Sequence, residues 1–272
     1  MKVFGRKCRV TDCIKPGDSV LIRFDRHGMG DCVMFRPLYD RLKKLFPSVI
    51  FNLKCNNGQE YFEEITEKHY DMCFDIVFPE FNNYSLGYCF NGMSKPEICC
   101  KYELGIEFSR DLEFTWKPKK IIDSGIDVPS NTIGLAFQVT SNPKKSISED
   151  VANLIWNKVK EFGFNPLEVH FSHKLANQQN KMYKFIDNTC RGYSANIDSC
   201  VDVINKCKGF IGVNTGTFCM ATAMKDGNVL HMYKIYHFCP NYKRFDPVQE
   251  INCKNKQLID FGCLENYLTK LT

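Results

Sequence analysis

Two stretches of this chain set reactive side chains just beyond what reads as a buried strand. The first is VLIRFDRHGMGD, in which Val20–Phe24 suits a core strand and a loop from Asp25 to Asp31 follows. Gly28 and Gly30 can take positive φ or admit a ligand against the main chain. The Asp31 carboxylate could take a proton from a hydroxyl or cap a helix, and Arg26 and His27 would share its cleft. Pro37 bears on that choice. A helix starting near Pro37 leaves Asp31 free for chemistry, whereas one starting at Cys32 must absorb the proline and makes Asp31 its cap. The glycine spacing is not that of a dinucleotide-binding turn, so no nicotinamide site is read here.

The second stretch is IGVNTGT, ending a strand and opening a helix with Asn214, Thr215, Gly216 and Thr217. Backbone amides and threonine hydroxyls there could hold phosphate oxygens with help from the helix dipole; the same residues would serve as a plain Thr or Asn cap. A polar loop, QVTSNPKKSISE, brings Lys144 and Lys145 to a helix that Ser148 could cap. Either lysine could neutralise a diphosphate, although paired loop lysines are also commonly just solvated. His170 and His173 would point to opposite faces of a strand with no acidic partner, so no metal site is expected. Asp111-Leu112-Glu113 reads as a solvated face. Tyr233–Phe245, YKIYHFCPNYKRF, interleaves rings with cations. It could stack on a base or sugar, or pin a long loop with buried rings.

These sites need elements to hold them, and the hydrophobic pattern supplies an alternation of strands and helices. Val20–Phe24, Ser48–Leu53 and Met72–Phe78 read as strands, separated by helices over Pro37–Phe46 and Glu60–Glu67; a further helix is read over Pro96–Leu104. Trp116–Asn131 gathers prolines, lysines and turn residues, and a domain junction is placed there, giving domains 1–125 and 126–272. Alternation restarts with strands at Thr132–Phe137, Leu167–Phe171, Gly209–Val213 and Val229–Tyr233. Helices fall at Ser148–Phe162, Gln179–Asn188, Asp198–Lys206 and Thr217–Met224. Such order implies parallel sheets with crossover helices, that is, two Rossmann-like units facing across a cleft. The amphipathic segment Gln257–Leu271 is expected to pack back on the first unit.

Composition narrows the class without choosing within it. The 272 residues are 44% hydrophobic, enough for a substantial core, and carry a net charge of +5, which suits phosphorylated ligands, nucleic acid or an anionic membrane surface alike. No run of 18 apolar residues occurs, so no transmembrane helix is expected. Fifteen scattered cysteines, an odd number without a Cys-x-x-Cys pair or a secretory leader, suggest reduced thiols in the cytoplasm.

Taken together the pieces resemble glycosyltransferase family 9, the ADP-heptose:lipopolysaccharide heptosyltransferases and their relatives. VLIRFDRHGMGDCVMFRPLYDRLKKLFPSV is similar to that family's opening strand, Gly-Asp turn, proline-containing helix and Phe-Pro. IGLAFQVTSNPKKSISEDVANLI and IGVNTGTFCMATAM are similar to the start of its second domain and to its donor-phosphate turn.

The resemblance implies a GT-B fold and an inverting, metal-independent transfer from a nucleotide-diphosphate sugar to a hydroxyl, with no further cofactor. It implies Asp31 as the base, with Arg26, His27, Gly28 and Gly30 beside the acceptor. Lys144 or Lys145 and the turn Asn214–Thr217 would hold the donor diphosphate. Asn214 and Cys219 depart from the aspartate and histidine usual in the family. The acceptor would be a glycan, lipopolysaccharide-like or other, with nucleic acid a less favoured choice. A nucleotide-sugar-binding protein without transfer is the alternative, and peripheral membrane contact is compatible with either.

Overall fold

A computed structural model describes residues 2–4, 8–24, 28–55, 69–76, 95–108, 121–139, 146–169, 197–213, 215–225, 228–233, 250–252 and 261–272. They fall into two compact units, one drawn from residues 2–108 and one from 121–272. The helices expected at 60–67 and 179–188 lie outside the described residues, as do Asp111–Glu113, His170, His173 and most of Tyr233–Phe245.

The first unit is a parallel sheet of β1 (Lys2–Phe4), β2 (Ser19–Phe24), β3 (Ile50–Cys55) and β4 (Met72–Asp75), in the order β1-β4-β2-β3. Val20, Leu21 and Ile22 are buried in succession, as expected of a central parallel strand covered on both faces. A one-turn helix, α1 (Val10–Cys13), lies between β1 and β2, and Cys8 and Cys13 at its ends form a disulfide. This departs from the expectation of reduced thiols throughout; the short helix folds the chain back and brings the two together. Of the other nine described cysteines, all but Cys263 are buried.

Between β2 and β3 runs α2 (Met29–Leu45). It begins earlier than either expected start, with Gly28 as N-cap and Pro37 inside it. Pro37 withholds an N–H from the Val33 carbonyl, but the face around it is buried, including Val33, Phe35, Leu38 and Leu42, and that packing outweighs one lost bond. Phe35 stacks on Phe24 with centroids 4.5 Å apart, locking the helix to the strand that feeds it. The helix expected at Pro96–Leu104 is α3 (Lys95–Ile98) continuing into a π-helical segment, Cys99–Leu104, which Gly105 ends in the left-handed conformation at φ 75°.

The second unit is a parallel sheet of β5 (Thr132–Ala136), β6 (Asn165–Glu168), β7 (Gly209–Val213), β8 (Val229–Tyr233) and β9 (Glu250–Asn252), in the order β6-β5-β7-β8-β9. Its helices are α4 (Glu149–Glu161), α5 (Ile197–Lys206), α6 (Gly216–Met224) and α7 (Phe261–Leu271). Residues 121–125, assigned from sequence to the first domain, belong here: Ser124 donates to the buried Asp202 carboxylate through its amide (3.0 Å) and its hydroxyl (2.6 Å).

Leu264, Tyr267, Leu268 and Leu271 of the C-terminal helix α7 join the core made by Ile133, Leu135, Ile155, Trp156, Ile211 and Leu230 of the second unit. The Tyr267 hydroxyl accepts from the Phe210 amide at 2.9 Å and donates to the Asn228 carbonyl at 2.9 Å. Gly209 makes the room, since a Cβ there would sit 2.5 Å from that hydroxyl.

Candidate functional site

The strand orders say where ligands should lie. From β2 the chain moves to β3 on one side and then to β4 on the other; from β5 it moves to β6 and then to β7. Loops leaving the carboxyl ends of two strands at such a reversal diverge, and open parallel sheets bind ligands in the gap. Both stretches singled out from sequence follow strands that flank these reversals.

In the first unit, Gly28, Gly30 and Asp31 come together in the opening turn of α2. Gly28 caps the helix with no side-chain bond, Met29 is the first helical residue, and Asp31 is the third. Asp31 is therefore not a cap, and it is half-buried in the first turn, where the helix dipole favours its negative charge. Arg26 and His27 lie outside the described residues. Sequence reasoning missed a neighbouring feature: Arg23 and Asp75, paired in register on β2 and β4, make a two-pronged ion pair at 2.5 and 2.7 Å beside the reversal. The signal was present as one lone charge in each of two apolar strands.

In the second unit, Thr215, Gly216 and Thr217 open α6. Thr215 is the N-cap, its hydroxyl accepting from the Phe218 amide at 3.1 Å, and the Cys219 amide bonds to the Thr215 carbonyl at 2.9 Å. That arrangement sets the amides of Gly216 and Thr217 at the mouth of the helix, where N–H groups without intrahelical partners attract anions. The Thr215 hydroxyl, while accepting, keeps its own proton to donate. Thr217 is 4% exposed and its side chain is hydrogen-bonded to the Cys200 thiol, which leaves its amide at the helix mouth. Burial pushes the Cys200 thiol up, and the Thr217 bond works against that shift.

Cys219 is 1% exposed, so its thiol is packed into the core. Asn214, Lys144 and Lys145 lie outside the described residues. The stems of the lysine loop are described: the Val139 amide donates to the Ser146 hydroxyl at 2.8 Å and the Ile147 amide to the Phe137 carbonyl at 2.9 Å, closing it at its base beside β5. Ser148 stands at the N-cap of α4 but makes no side-chain cap bond.

Among the described residues no three His, Cys, Asp or Glu side chains converge as metal ligands, and no described helix is long and apolar enough to cross a membrane. A cavity of about 350 Å³ in the first unit, lined by Arg9, Glu97, Lys101, Gly105, Ile106, Glu107 and Phe108, contains none of the expected site residues.

Two parallel, doubly wound units of this kind define the GT-B fold. Searches of protein-family models and of curated proteins matched nothing, but solved structures do match. The family 9 glycosyl transferase of Veillonella parvula DSM 2008 aligns with a TM-score of 0.63 at 10% identity, over 93% of this chain and 97% of that one. The E. coli ADP-heptose lps heptosyltransferase II aligns at 0.61 and 14% identity, over 93% and 99%. The iron-containing dodecameric glycosyltransferase TibC of enterotoxigenic E. coli H10407 aligns at 0.55 and 14% identity over 79% of this chain, which spans 58% of that longer chain. What is shared at these identities is the fold.

Proposed function

We propose that this chain is a glycosyltransferase that moves a sugar from a nucleotide-diphosphate sugar to a hydroxyl acceptor with inversion and without a metal. The observation that carries the reading is the opposed character of the two helix openings. One presents a carboxylate, Asp31, and the other presents amides and a capping hydroxyl with no acid in its first turn. Asp31 takes the acceptor hydroxyl's proton as that oxygen attacks the anomeric carbon from the face opposite the leaving group. The diphosphate departs with its charge held by the amides of Gly216 and Thr217, the Thr215 hydroxyl and a lysine of the 144–145 pair. The name of the ADP-heptose lps heptosyltransferase II and the complex of TibC with ADP-D-beta-D-heptose support a nucleotide sugar as donor. Lysines and a helix end can discharge the leaving group's charge as a metal would, which supports metal independence. Incubation with a panel of nucleotide sugars and glycan acceptors, with and without a chelator, tests the reading. Inverted product formed in chelator by the wild type and lost in Asp31→Ala is the expected result; retained stereochemistry or full activity in Asp31→Ala refutes it.

A second reading, a nucleotide-sugar-binding protein without transfer, is favoured by Cys219, whose buried thiol replaces the family's histidine beside the donor turn. Tight donor binding with no turnover on any acceptor would select it.

A further inference from the structure

The donor turn works only if two amides are aimed at one point, and the cap bond of Thr215 fixes that aim only as firmly as its partner, Phe218, is itself held. Phe218 is completely buried, and its amide is the donor that Thr215 caps. Its carbonyl accepts from the Thr222 hydroxyl at 2.9 Å, tying the first turn of α6 to the second. Its ring lies 5.3 Å from that of His231 on β8, and His231 is itself 1% exposed. On the sheet side the ring sits over Gly212 of β7, where a Cβ would come within 2.9 Å of the Phe218 ring, 3.1 Å of Ala136 Cβ and 3.2 Å of the Ala136 carbonyl oxygen. Gly212 is not at positive φ, so its missing side chain is a matter of space. The Ala136 contacts are fixed in the neighbouring strand, which leaves the ring as the part that must give.

We propose that Phe218 is the positioning residue of the donor turn, its ring seated on the bare Cα of Gly212 and against His231 so that the Gly216 and Thr217 amides point at the diphosphate. The proposal rests on the donor-side reading above. It makes Gly212 and Phe218 a matched pair: a methyl added at 212 lifts the ring, and the ring carries the capped turn with it. A shorter side chain at 218 would free the space that the methyl takes.

The test is a double-mutant cycle read by calorimetric titration with ADP, GDP, UDP and CDP, using the full chain and the nucleotide that binds the wild type most tightly. Gly212→Ala and Phe218→Leu are each expected to weaken binding about tenfold, the scale of effect that a misplaced site produces. Together they should bind more tightly than either alone, because the leucine accommodates the new methyl. Losses that simply add, or wild-type affinity in either single variant, overturn the proposal. Should Gly212→Ala not fold, Phe218→Leu decides alone, with unchanged affinity overturning it. Thr215→Val separates the two levels of argument: if it weakens binding while the 212–218 pair shows no coupling, the donor turn stands and the positioning role falls. No binding of any of the four nucleotides by the wild type removes both.

Discussion

The two units use the same backbone device for opposite charges. Each is a parallel sheet with one reversal of strand order, and each opens a helix with glycine in its first turn from a strand that flanks the reversal. In α2 the N-cap is Gly28, which contributes no side chain, and an acid occupies the third helical position. In α6 the N-cap is Thr215, which contributes a hydroxyl, and no acid follows. The helix dipole stabilises whatever negative charge stands at its amino end. In the first unit that charge is covalent, a carboxylate that any incoming phosphate would meet as a like charge. In the second no side chain of the first turn supplies one. A fold class cannot express this difference; three residues can.

The sharpest way to break the comparison is to remove the fixed charge. Asp31→Asn should lower transfer by about 10²–10⁴-fold, the range for loss of a general base, while nucleoside-diphosphate affinity stays unchanged. A parallel loss of affinity would mean that the two openings are not functionally separate. Moving an acid the other way is expected to cost less. Gly216→Asp should weaken nucleotide binding about a hundredfold, since like charges brought together cost several kcal/mol, and yet raise the melting temperature slightly because an acid in a first turn suits the dipole. Binding and stability changing in the same direction would count against the anion site.

The remaining outcomes concern what holds each unit together internally. Tyr267→Phe should destabilise the second unit by about 1–3 kcal/mol, because it strips a buried hydroxyl from the Phe210 amide and Asn228 carbonyl. Hydrogen exchange should accelerate in β7 and not in β2. Acid should act on the second unit through Asp202. Burial alone would raise that carboxyl, but bonds from Ser124 and Lys206 prevail and hold it below the usual carboxylate range. The stability it contributes is therefore fully present above the unfolded value of about 3.9 and is lost as pH falls through the lower folded value. Asp202→Asn should flatten the acid limb of a stability–pH profile, and an unchanged limb would show that the network does not matter. The smallest effect is expected at Asp75→Asn, under about 1 kcal/mol by denaturant titration, because the Arg23–Asp75 pair is partly exposed and screened by water.

How much of this could be read from the chain divides along physical lines. Strands such as Gly209–Val213 and Val229–Tyr233 were legible to the residue because continuous apolar runs bounded by turns have one reading. The start of α2 was not, because Pro37 argues locally for a boundary, whereas the helix is held by a buried face and the Phe24–Phe35 stack, which only the folded state contains. Thr215 was legible as either a cap or a ligand-binding residue, and in the fold it is the N-cap of α6. The role of Thr217 was hidden because its partner, Cys200, lies on another helix. Amphipathicity correctly gave α7 a buried face but could not say which sheet it covers; that depended on the niche at Gly209. The Arg23–Asp75 pair needed the register of two strands far apart in the chain.

The Tyr267 contact also sets an order of events during synthesis. The described strands of the first unit are all translated before any described strand of the second, and structure generally forms as the chain emerges. In the second sheet the middle strand β7 is bonded at Phe210 to a hydroxyl that is translated after every one of the described strands, so the core there is complete only once α7 has been made. A pulse of protease during translation should find β2 protected earlier than β7.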